Sequence, residues 1–67
     1  MSTRKQALSR EVATATAALA AARQSLESAR ELARAGFPSD VVLALHVEAG
    51  RFNEWLKASE AFQACRD

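Results

Sequence analysis

Leu8, Val12, Ala15, Leu19, Ala22, Leu26, Ala29 and Ala33 recur at alternating steps of four and three. A three/four alternation keeps apolar residues on one side of a helix that faces another helix. The stripe also alternates in size, with Val12, Leu19 and Leu26 at one position type and alanines at the other. No proline or glycine interrupts it before Gly36, and Thr3 with Gln6 fits a capping box. The pattern predicts a first helix over about residues 3–35. A second run, Val42, Leu45, Ala49, Phe52, Leu56, Ser59 and Gln63, repeats the same spacing, and Val41, Trp55 and Phe62 widen it. It predicts a second helix over about residues 40–65.

Between them stands Ala35-Gly36-Phe37-Pro38-Ser39-Asp40. Gly36 can take the left-handed conformation that closes a helix, and Pro38 cannot extend one. Ser39 is the expected N-cap of the second helix, with Asp40 placed well against its dipole. Residues 36–39 are thus a turn between antiparallel helices. The expected architecture is all-α: one two-helix antiparallel coiled-coil hairpin over 1–67. Folding the chain about this turn sets Ala33 against Val42, Ala29 against Leu45 and Leu26 against Ala49. Further along, Ala22 meets Phe52, Leu19 meets Leu56, and Val12 meets the turn holding Phe62. Small residues oppose large ones, as close packing requires. The expected hairpin core is Val12, Leu19, Ala22, Leu26, Ala29, Val42 and Ala49.

That hairpin leaves apolar surface over. Val41-Val42-Leu43-Ala44-Leu45-His46-Val47 is apolar around nearly the whole helix, a mark of burial on more than one side. Gly50, costly in a helix interior, forms a notch with Ala49 where another backbone could approach. We expect a second interface on the second helix, drawing on Val41, Leu45, Phe52, Trp55 and Leu56.

Length sharpens this expectation. A chain of 67 residues is one domain at most, and its core is marginal. Small domains compensate with a disulfide, a metal or a partner. One cysteine, Cys65, excludes an internal disulfide, and one histidine, His46, excludes an ordinary zinc site. A protein partner is what remains. The net charge of +1, with interspersed signs, gives no support for a polyanionic ligand. Arg23, Arg30 and Arg34 are interrupted by Glu27 and Glu31, so they read as a solvated face. Met1–Lys5 followed by an Ala/Thr-rich run loosely matches a signal peptide, but Arg10 and Glu11 break the apolar segment. No stretch approaches a membrane span, and a cytoplasmic protein is expected.

Chemistry is sparse. His46 stands alone in an apolar run, Cys65 has no Cys-x-x-Cys partner, and no phosphate loop or metal-ligand spacing is present. Phe52, Trp55 and Phe62 lie at helical spacing, which suits packing anchors better than base stacking. Neither catalysis nor a cofactor is expected.

The Arg-Glu-Leu-Ala-Arg end of the first helix (Arg30 to Arg34), the turn with Gly36 and Pro38, and the apolar helix ending near residue 65 carry a family likeness. From about Ser25 to Leu56 above all, the chain resembles the small E-type needle co-chaperones of type III secretion systems (PscE/YscE-like). The resemblance implies a cytoplasmic helical hairpin without catalytic residues. It implies binding to a tetratricopeptide (TPR)-like G-type chaperone and, through it, to the needle subunit, in a heterotrimer that keeps that subunit monomeric before export. The alanine-rich first helix and Trp55 depart from the family, which leaves open the face that meets the chaperone. A homodimeric four-helix bundle that binds RNA, like the plasmid regulator Rop, is the alternative, along with a structural coiled-coil hairpin in a larger assembly. Free chains could also self-associate.

Overall fold

The structure, a computed structural model, describes residues 3–65. These residues form two helices, α1 (Thr3–Arg34) and α2 (Val41–Ala64), packed as an antiparallel hairpin. The molecule is a rod of 54 × 14 × 11 Å. The side chain of Thr3, and with it the expected capping box, lies outside the described residues.

The close of α1 follows from Gly36. Its φ is 87°, a conformation that side chains with a Cβ rarely adopt. This lets the Phe37 N–H donate to the Leu32 carbonyl (2.9 Å) and the Gly36 N–H to Ala33 (3.1 Å). The crossed pair of bonds is a Schellman motif, which satisfies carbonyls that the helix end would otherwise leave open.

The start of α2 differs from the expectation in one residue. Asp40, not Ser39, is the N-cap: its carboxylate accepts from the Leu43 N–H at 2.9 Å. Ser39 turns the other way, and its hydroxyl donates to the Ala29 carbonyl at 2.6 Å. That bond shows how the connection runs. Residues 37–40 are non-helical, and extended chain advances about 3.3 Å per residue against 1.5 Å in a helix. They run back beside the last turn of α1 before α2 begins.

The register of the hairpin therefore moves by about one helical turn from the expected one. Trp55 meets Thr16, Glu48 meets Arg23, and Leu19 lines a groove with Phe52 and Trp55. Phe62 still lies beside Val12. Ala33, expected against Val42, is exposed, because the end of α1 projects past the start of α2. At the other end Lys5 stands 5.0 Å over the Phe62 ring, so the first turns of α1 lie alongside α2.

Alpha2 is also turned about its axis. Its shielded positions are Val41, Ala44, Glu48, Trp55, Ala58, Ser59 and Phe62, followed by Cys65. That is largely the neighbouring three/four stripe, one residue back from the expected one. One residue is about 100° of rotation. Consequently Val42 and Ala49, expected in the core, are exposed, Val42 at 65%. On α1 the stripe is as expected: Leu19, Ala22 and Leu26 are buried, and Val12 and Ala29 half-buried. Cys65, a free thiol, is buried at the end of α2, where its N–H donates to the Phe62 carbonyl. Arg23 pairs with Glu48 (3.8 Å) across the two helices, and Arg51 with Glu54 (3.0 Å) along α2.

Candidate partner-binding face

The rotation of α2 decides which residues are available to a partner. Val42, Leu45, Ala49, Phe52 and Leu56 form a continuous stripe along α2, and all five are exposed. Leu45, Phe52 and Leu56 each keep about 40% of their surface in water. Leu43 and Val47 are exposed as well, away from that stripe. Of the five expected interface residues, Leu45, Phe52 and Leu56 lie on this open face. Val41 and Trp55 are half-buried and belong to the seam with α1.

Trp55 is shared between seam and face. Its indole Nε1–H donates to Thr16 Oγ1 (3.1 Å), and that hydroxyl donates to the Val12 carbonyl (2.7 Å). The ring stacks on Phe52, with centroids 5.9 Å apart and planes 29° from parallel. An aromatic pair fixed from behind by a hydrogen bond offers a large contact area with few rotamers left to freeze. The two rings form one wall of a groove of about 470 Å³ whose other wall is α1 at Thr16, Ala20, Arg23 and Gln24. Further along the same flank Phe62 stands over Ser9, Val12 and Ala13. This face thus has large apolar side chains along α2 and mainly small ones along α1.

The opposite flank is different. Its groove, about 760 Å³, has a floor of Ala15, Ala18, Ala58 and Ala61 and a charged rim that includes the Arg51–Glu54 pair. It holds no large apolar side chain.

Little chemistry is assembled. His46 is exposed on α2, and among the described residues no three His, Cys, Asp or Glu side chains cluster as a metal site. Among the same residues no helix is long and apolar enough to cross a membrane. Sequence reasoning missed the Ser39–Ala29 bond, the Trp55–Thr16 bond and the Arg23–Glu48 pair. Only the last had a signal, as opposite charges on facing helices.

Comparison with protein-family models, with curated proteins and with solved structures finds no match to this chain.

Proposed function

We propose that the chain is a small non-catalytic co-chaperone of a type III secretion system. In this role it binds and stabilises a TPR-like chaperone in the cytoplasm, and that chaperone keeps the needle subunit monomeric. The observation that carries the proposal is the open stripe of Val42, Leu45, Phe52 and Leu56 on a hairpin whose core is nearly absent. Among the described residues the buried apolar side chains are Leu19, Ala22, Leu26 and Cys65, and none is buried completely. Such a hairpin gains stability chiefly by binding, through mass action on its folded form. The resemblance running from about Ser25 to Leu56 supplies the identity of the partner, and the open stripe falls almost wholly within it.

The RNA-binding alternative needs an unpaired basic face. Arg23, the first arginine of the stripe it would use, is engaged with Glu48. That weighs against it.

Co-expression with a TPR-like chaperone and a needle subunit tests the proposal. The expected result is a heterotrimer by native mass, with the needle subunit retained only when the chaperone is present. Phe52→Asp should release the chain from the complex. Failure to form any complex with such a chaperone, or a complex indifferent to Phe52→Asp, would refute the proposal.

A further inference from the structure

We infer that the Val42/Leu45/Phe52/Leu56 face is covered, when no other protein is present, by a second copy of this chain. The product is an isologous dimer of four helices, and the inference does not depend on the chaperone proposal.

Shape is the first ground. A two-fold axis across this face lays α2 of one copy over α1 of the other, twice. The large side chains of one α2 then meet the trough at Ala13, Thr16 and Ala20 of the partner copy's α1. The face is self-complementary in size, as an isologous interface requires.

Area is the second ground. The chain exposes 5084 Å², about 1,000 Å² more than a compact protein of its mass. Its radius of gyration, 15.6 Å, likewise exceeds the roughly 11 Å of a compact chain this long. A standard interface buries about 800 Å² per partner, so a single contact on this face takes up nearly all of the excess.

Charge is the third. Among the residues lining the groove at Phe52 and Trp55, Arg23 carries the one charge, and Glu48 beside it supplies the opposite one. Two copies can meet here without like charges being forced together. On the opposite flank the groove has an alanine floor under a charged rim, and the exposed Leu43 and Val47 stand outside it, off the stripe. A two-fold axis uses this same face on both copies, which gives a closed dimer in place of a filament.

Sedimentation equilibrium of the full chain, alone and over a concentration series, tests this. The expected result is a reversible monomer–dimer equilibrium ending at twice the chain mass. Phe52→Asp places a charge at the centre of the face. Ala20→Lys fills the trough from α1 without removing any apolar side chain, and lysine is a good helix former. Each should weaken the dimer at least about 30-fold, the effect of losing a central contact. Leu43→Asp, a charge at a still more exposed position off the face, should leave it unchanged. Far-UV circular dichroism of Ala20→Lys, matching the wild type, separates loss of dimer from loss of fold. A wild-type monomer up to the millimolar range would overturn the inference. So would a dimer that survives both Phe52→Asp and Ala20→Lys, or growth beyond the dimer. Adding a TPR-like chaperone is a separate arm: conversion of the dimer to a heterocomplex would bear on the proposed function, and its absence would leave the dimer result intact.

Discussion

Leu26→Ala and Val42→Ala should differ sharply in cost, although the spacing of the sequence puts both residues in the hairpin seam. Leu26 is 5% exposed. Replacing a buried leucine by alanine costs about 2–5 kcal/mol, and the thin surroundings of this site favour the lower half of that range. A chain of this length is held by only about 3–10 kcal/mol in all. At roughly 4–8 °C per kcal/mol for so small a domain, the midpoint should fall by at least about 8 °C. Val42 already keeps most of its surface in water. The third that is covered is worth about 0.5 kcal/mol. Alanine recovers a similar amount through its higher helix propensity, up to about 0.7 kcal/mol. The net change should lie within about 0.5 kcal/mol of zero. Thermal unfolding followed by far-UV circular dichroism reads both, at dilutions where the midpoint no longer depends on concentration. A Val42→Ala variant as unstable as Leu26→Ala would return Val42 to the seam and refute the observed rotation of α2.

Three further outcomes follow from the turn and the seam. A double-mutant cycle between Thr16→Val and Trp55→Phe should give a coupling of about 0.5–1.5 kcal/mol, the value of one hydrogen bond; additive effects would remove that bond from the seam. Asp40→Ala should destabilise by about 1 kcal/mol through loss of the N-cap, and a neutral result in urea unfolding would show the cap to be misplaced. Alanine at the two glycines should act in opposite directions: Gly36→Ala costs about 1 kcal/mol or more, because its φ of 87° strains a Cβ, whereas Gly50→Ala gains about 0.5–1 kcal/mol in a helix position with open space around it. Equal Tm values for the two variants would contradict the turn geometry.

The helices and their inner face on α1 could be read from spacing alone, because Leu19, Ala22 and Leu26 sit in an otherwise alanine-rich and polar helix that offers no competing stripe. Gly36 and Pro38 located the turn for equally local reasons. Alpha2 was ambiguous. Its apolar residues occupy two adjacent stripes, Val41/Ala44/Trp55/Phe62 and Val42/Leu45/Phe52/Leu56, and periodicity cannot rank two stripes that share one helix. Hydrophobicity ranks them in the wrong order, since the shielded one contains Glu48. The register escaped for a different reason. It depends on the path of residues 37–40, and that path depends on a hydroxyl, Ser39, reaching back to Ala29. A side-chain bond to a helix carbonyl ten residues away leaves no periodic trace. Of the candidate face, Leu45, Phe52 and Leu56 were identified from the surplus of apolar residues. Trp55 was placed with them because its hydrogen bond to Thr16 lies across the two helices and cannot be anticipated from either one.

The inversion on α2 has a physical consequence for assembly. A lone hairpin maximising its own stability would turn Leu45, Phe52 and Leu56 inward and leave Glu48 in water. The hairpin instead closes on Ala44, Trp55, Ala58 and Phe62 and keeps the leucines outside. Small residues in the seam allow α1 and α2 to approach closely, and the Trp55–Thr16 bond and the Arg23–Glu48 pair cross that seam. Rotating α2 by about 100° to bury the leucines would break both contacts. Val42, Leu45, Phe52 and Leu56 are therefore held outside the hairpin, on a face that the chain itself does not cover. The drive to bury apolar surface, which most small domains satisfy within the chain, is left partly unsatisfied in this hairpin.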